Sequence, residues 1–140
     1  MQTRAPISFA DRQSTGVGTG ARAPTVLCVH QRDAAEIRRL VQALQARLHP
    51  CASGGEALAV ARARALACVI IPLEMPDMPA HELIERLHGV APGLAVIVIV
   101  DNPAVSEAVA VMRSGAHAVV DGRILSSSLL PHLSSLLRGS

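Results

Sequence analysis

From Pro24 onward, short unbroken apolar runs alternate with stretches whose apolar residues recur at three- and four-residue spacing. Val26-Leu27-Cys28-Val29 is the first run, and its lack of polar interruption is what a parallel strand covered on both faces requires. Behind it, Asp33-Ala34-Ala35-Glu36 has the form of a capping box with Asp33 as N-cap. Ile37, Leu40, Val41 and Leu44 then follow at i, i+3, i+4 and i+7, which predicts a first helix. The alternation repeats. Leu48 to Cys51 reads as a short second strand, and its Pro50, having no N–H for a ladder, belongs at a sheet edge. Ala52 to Leu58 turns into a second helix, Cys68 to Ile71 is a third strand, and Leu83, Ile84 and Leu87 mark a third helix. Val96 to Val100 consists entirely of β-branched residues and predicts a fourth strand deep in the sheet. Val105, Ala108, Val109 and Met112 repeat the helical spacing as the buried stripe of a fourth helix closed by Gly115, and Ala118 to Val120 is a fifth strand.

The end of the chain is less regular. Ser126, Ser127 and Ser128 each offer an N-cap, and only a start at Ser128 puts Pro131 in the first turn, where its missing N–H is harmless. A short, late fifth helix is therefore predicted. Strands alternating with helices through short links imply right-handed crossovers and an α/β, doubly wound, five-stranded parallel sheet in a three-layer αβα sandwich. Residues 1 to 23 show neither period and are read as a flexible leader ahead of one domain, residues 24 to 138.

Composition narrows the picture. At 140 residues, half of them apolar, the chain suits a single domain with a core of useful size. Its 13 basic residues are all arginine, against 11 acids. Arg4, Arg12 and Arg22 against Asp11 give the leader the whole positive excess, and the rest of the chain is balanced. A balanced domain whose chain has Phe9, in the leader, as its only Phe, Tyr or Trp lacks both the basic footprint and the stacking rings of a nucleic-acid binder. The absence of a long apolar run argues against a membrane span or signal peptide, and a cytosolic location is expected. Cys28, Cys51 and Cys68 fit neither a disulfide framework nor a metal pattern and are read as buried, reduced thiols. His30-Gln31-Arg32-Asp33 follows the first strand where a Gly-rich phosphate loop would stand, and no nucleophile elbow is present. No enzymatic activity and no cofactor are expected.

Three segments carry a family resemblance. Val69-Ile70-Ile71-Pro72-Leu73-Glu74-Met75-Pro76-Asp77-Met78 is a buried strand running into a Met-Pro-x-Met loop. Ser53-Gly54-Gly55-Glu56-Ala57-Leu58 looks like an entry to helix two, and Ala108-Val109-Ala110-Val111-Met112-Arg113-Ser114-Gly115-Ala116 like helix four and its turn. Over about residues 25 to 137 the chain resembles the CheY-like receiver domains of bacterial two-component response regulators. That resemblance implies a flavodoxin-like fold with strand order 2-1-3-4-5, in which strand two, with its Pro50, is an edge.

The family's working residues, carried over by position, are replaced one after another. The phosphoacceptor aspartate, which ends strand three four residues before the loop proline, is Pro72. The acidic magnesium ligands after strand one are His30 and Gln31, the hydroxyl residue ending strand four is Val100, and the aromatic of strand five is Val119. The lysine after strand five falls on Gly122 and the proline beside it on Arg123. The chain contains no lysine, and no threonine after Thr25. The expectation is a degenerate pseudo-receiver that signals through protein contacts, without phosphorylation or bound metal, as the regulatory domain of a transcriptional regulator. A homodimer is the expected partner state. Its contact face is expected at helix four, strand five and helix five, with Val111, read as exposed, and the leucines 129, 130, 133, 136 and 137 as candidates; Leu129, Leu133 and Leu136 are foremost.

An alternative is that the emptied pocket takes a small ligand or a metal. His30, Gln31, Asp101 and Arg123 would then be its contacts, a guanidinium being suited to a phosphate or carboxylate. Glu74, Asp101 and Asp121 around His30 would make a mixed divalent-metal site. Acidic loops at strand ends are also commonly just solvated. His49, His81, His88, His117 and His132 are read as surface residues.

Overall fold

A computed structural model of the chain describes residues 23–29 and 34–138. The leader up to residue 22, and His30, Gln31 and Asp33 after the first strand, lie outside the described residues. The elements are β1 (Thr25–Val29), α1 (Ala34–Ala43), β2 (Arg47–Cys51), α2 (Gly54–Ala63), β3 (Cys68–Pro72), α3 (Ala80–Val90), β4 (Ala95–Val100), α4 (Val105–Arg113), β5 (Ala118–Asp121) and α5 (Leu125–Arg138). A single 3-10 turn, Gly122–Ile124, leads into α5. The five strands are parallel in the order β2-β1-β3-β4-β5, the flavodoxin-like topology that the family resemblance implies. Pro50 lies on the edge strand, opposite Cys28, as its missing donor requires.

The unbroken apolar runs are explained by burial on both sheet faces. Leu27, Val29, Val69, Ile71, Val96 and Val98 point to one side, where Ala57 and Leu58 of α2 and Leu83, Ile84 and Leu87 of α3 cover them. Val26, Cys28, Ile70, Ile97 and Val120 point to the other, beneath Ile37 and Val41 of α1 and Leu125, Leu129 and Leu133 of α5. Each fully buried Leu, Ile or Val contributes roughly 1.5–3 kcal/mol relative to leaving it exposed, so the two faces together drive the fold.

Two helices depart from expectation. α5 starts at Leu125, three residues before Ser128, and carries Pro131 in its interior. Its buried stripe is Leu125, Leu129 and Leu133, at i, i+4 and i+8, so packing sets the start earlier than the proline rule allows. Pro131 and Ser127 both face solvent, where water can serve the Ser127 carbonyl that the proline leaves unpaired. The serines do not cap: Ser127 Oγ donates to the Ile124 carbonyl at 3.1 Å, and Ser128 Oγ to those of Ile124 and Asp121 at 2.9 and 3.0 Å.

The second departure is α4. The stripe read as its core is its outside: Val105 is 81% exposed, Val109 43% and Met112 45%. Val111, read as exposed, is buried at 4% and packs with Ala116 and the α2–α3 side of the sheet. Both rows of α4 are apolar, so spacing alone favoured the bulkier one. Beyond the helix, Gly115 has φ +111, and a Cβ there would meet the His88 ring at 2.9 Å. His88 is thus no surface residue; it is half-buried, with Nε2 2.9 Å from the Leu94 carbonyl oxygen.

Candidate functional site

Ligands of a doubly wound sheet gather beyond the carboxyl ends of its strands. At that end, β3 finishes on Pro72, which lies opposite Ile99 of β4, and β4 finishes on Val100, opposite Asp121 of β5. Pro72, Val100, Asp121 and Gly122 are half-buried neighbours along the rim. The structure brings these predicted positions together, while His30 and Gln31 lie outside the described residues.

Asp121 organises the β5 corner. Its Oδ1 accepts the backbone N–H of Arg123 at 3.0 Å and that of Asn102 at 3.2 Å, and the Arg123 guanidinium grips the carboxylate through Nε and Nη2. The Arg123 side-chain hydrogen bonds, then its backbone N–H and that of Asn102, hold the carboxyl well below its usual range. Asn102 reaches this contact in the left-handed backbone region, φ 50. The carboxylate therefore ties the turn after β4 to the turn after β5, and Arg123 already has an anion to hold.

Asp101 stands against Gly122. A Cβ at Gly122 would overlap Asp101 Oδ1 and lie 3.1 Å from Ile99 Cγ2, so a larger residue at 122 requires Asp101 to move. Glu74 is exposed, in a one-bridge pairing with Pro79. Magnesium prefers an octahedron of oxygen ligands. Pro72, Val100 and Gly122 have no side-chain oxygen, and the Asp121 carboxylate is engaged by Arg123, so the residues described here do not fit that ion. Among the described residues no group of three His, Cys, Asp or Glu is placed to hold a metal.

The Met-Pro-Asp-Met loop has a structural task that its sequence does not reveal. Asp77 Oδ1 accepts the N–H of Gly54 at 3.0 Å and Oδ2 that of Gly55 at 2.9 Å, capping α2 from 22 or 23 residues away. These two bonds, Gly55 first, lower the Asp77 pKa, as expected of a carboxylate at a helix N-terminus. Met78 packs so close that a Cβ at Gly54 would lie 2.9 Å from its Cγ and Sδ. Ser53 completes the cap by accepting the Glu56 N–H at 3.2 Å. Sequence reading places the entry to α2 at Ser53 to Leu58 but does not find Asp77, because that partner is distant along the chain.

The interface candidates are redistributed. Leu129 and Leu133 are fully buried in the domain's own core, and Val111 is nearly so; these three are corrected to core residues. Leu136 is half-buried against the same core. The large apolar side chains that do reach the surface are Val105, Val109 and Met112 of α4, Ile124 at 58% just before α5, and Leu130 at 37% within it. The thiols are all buried, and burial pushes Cys28 and Cys68 up to about 12 and Cys51 to about 11. None is poised as a nucleophile. No helix among the described residues is long and apolar enough to cross a membrane.

The family model for the response regulator receiver domain matches residues 29–133. No curated protein matches the chain. Among solved structures, the signal receiver domain of an HD domain-containing protein from Pseudomonas fluorescens Pf-5 is similar at 22% identity and a TM-score of 0.75, covering 89% of this chain and 94% of that one. A CheY-like response regulator receiver domain protein from Methanospirillum hungatei JF-1 is similar at 21% identity and a TM-score of 0.72, covering 84% and 96%. A redox sensor of the streptococci, of a family that evolved from two-component response regulators, is similar at 19% identity and a TM-score of 0.70, covering 84% of this chain and 52% of that one.

Proposed function

This chain belongs to the response regulator receiver domain family, and on that premise we propose that it is a pseudo-receiver, which signals by protein contact without accepting a phosphoryl group. The observation that carries this reading is that β3 ends on Pro72. A proline side chain has no oxygen to form an acyl phosphate, and Val100 and Gly122, at the ends of the next two strands, supply neither hydroxyl nor amine to receive one. The Asp121–Arg123 pair supports the same reading, because it joins the β4 and β5 turns with a carboxylate that is always present.

A module without phosphoryl chemistry acts through its surface. Val105, Val109 and Met112 form an exposed apolar row at i, i+4 and i+7 of α4, and an apolar row of this kind is the side a partner would cover. A second copy of the chain is the partner we favour, with the module serving as the regulatory part of a transcriptional regulator. That the streptococcal redox sensors evolved from response regulators lends support, since there the receiver fold serves another signal.

Light scattering over a range of concentrations, with and without magnesium and beryllofluoride as the phosphoryl mimic, tests this reading. A dimer indifferent to the mimic is the expected result. A monomer that dimerises only when the mimic is present means that the pocket works, and the reading is then abandoned.

A further inference from the structure

Charge is segregated across the sheet. On the β2 side, residues 34–68, Arg38, Arg39, Arg47, Arg62 and Arg64 stand against Glu36 and Glu56, five against two, a net +3. Residues 69–138, which include β3, β4 and β5, hold seven acids against four arginines, a net −3. Within that acidic half, Glu82 and Asp121 are already paired with Arg86 and Arg123. Glu74 and Glu107 have no side-chain partner among the described residues, and both stand at a groove of about 310 Å³ between the start of α3 and α4. Leu73, Pro79 and Ala110 contribute its apolar surface over the buried Ala80 and Val111, and His81 also lines it.

An apolar floor with two carboxylates at its rim, set in a half-domain of negative charge, suits an apolar side chain flanked by cations. The leader contains that arrangement once: Ile7-Ser8-Phe9 lies between Arg4 and Arg12, and Phe9 is the chain's only Phe, Tyr or Trp. The leader also holds the chain's entire positive excess, three arginines against Asp11. The linker from residue 10 to residue 24 spans up to about 50 Å when extended, at roughly 3.3–3.6 Å per residue. A domain of this size is on the order of 30–35 Å across, so the span suffices. The tether also presents the leader at an effective concentration on the order of millimolar.

We propose that the α3–α4 groove docks the chain's own leader, with Phe9 seated on the apolar floor and Arg4 and Arg12 facing Glu74 and Glu107. This is a different side of α4 from the Val105, Val109 and Met112 row, and it does not depend on the state of the phosphoryl pocket. The docked leader shields Leu73 and Ala110 and neutralises the groove.

The test is an NMR nuclear Overhauser experiment on the full chain with the phenylalanine ring selectively labelled, which makes Phe9 the only ring observed. Contacts from the ring to the methyl groups of Leu73 or Ala110, independent of protein concentration, are expected. They should be lost in Glu74→Gln/Glu107→Gln and in Arg4→Gln/Arg12→Gln, and weakened by high salt, while the amide spectrum of the core is unchanged. A ring with no such contacts overturns the proposal, and so do contacts that survive both charge-removing pairs. Contacts that grow with concentration place another copy's leader in the groove and likewise overturn it.

Discussion

The carboxylate of Asp121 and the guanidinium of Arg123, two residues apart at the end of β5, form a two-pronged ion pair whose shorter arm, Nη2 to Oδ2, is 2.8 Å. The pair holds the Asp121 pKa below that of an unfolded aspartate, so its stabilisation is present above about pH 4 and is lost as pH falls toward the depressed folded value. Arg123→Gln should lower the melting temperature slightly at pH 7, with the gap to wild type narrowing as pH drops from 4 to 2. A gap that stays constant over that range would show that the pair contributes nothing through charge.

On the proposed reading, an aspartate placed at the end of β3 should not confer phosphorylation. Pro72→Asp supplies one carboxylate but leaves Val100 and Gly122 in place, and adding Gly122→Lys forces Asp101 aside. Intact-mass measurement after incubation with acetyl phosphate and magnesium should show no phosphoryl adduct on either variant. Stoichiometric labelling of Pro72→Asp alone would sink the pseudo-receiver reading.

Gly115→Ala should be among the more damaging small substitutions. The position needs a positive φ, and the added Cβ meets the His88 ring that also bonds the Leu94 carbonyl. Strain of this kind costs about 1–3 kcal/mol, readable as a lower urea midpoint with an unchanged slope. An unchanged midpoint would mean that the turn relaxes freely.

The exposed and buried apolar rows of the α4–α5 side should respond differently. Val109→Glu should abolish or weaken self-association in light scattering while leaving the urea midpoint nearly unchanged. Leu129→Ala or Leu133→Ala, which hollow the core, should cost about 2–5 kcal/mol of stability. An oligomeric state untouched by Val109→Glu removes this face from consideration.

The three thiols should resist modification in the folded protein. With folded values near 11 to 12 against an ordinary 9.0, raised chiefly by burial, they stay protonated at pH 8, and a thiol-reactive dye should label them only on unfolding. Because the folded values are raised, the unfolded thiols ionise first. Their effect on stability is nil below about pH 8 and becomes destabilising as pH rises from 9 toward 11. Rapid native labelling at pH 8 would contradict this placement.

Local pattern determined the architecture. Strands such as Val96 to Val100 are buried on both faces and announce themselves as unbroken apolar runs, and Pro50 identifies an edge because a missing N–H is a property of the residue itself. That β3 ends on Pro72, a side chain without an oxygen, is likewise legible from the residue itself. Tertiary structure decided what depends on distant partners. Spacing could not choose between the two apolar rows of α4, and the pocket formed with Ala116 buried Val111, turning Val105, Val109 and Met112 outward. The Leu125, Leu129 and Leu133 stripe of α5 began its helix early enough to enclose Pro131, since burying three leucines outweighs one backbone bond that water can replace. Asp77 became the cap of α2, and Arg123 the partner of Asp121, only when the folded loops brought donor to acceptor. Hydrophobic periodicity is a local property of the chain, whereas the direction a helix faces and the partner a charge finds are set by what packs against them.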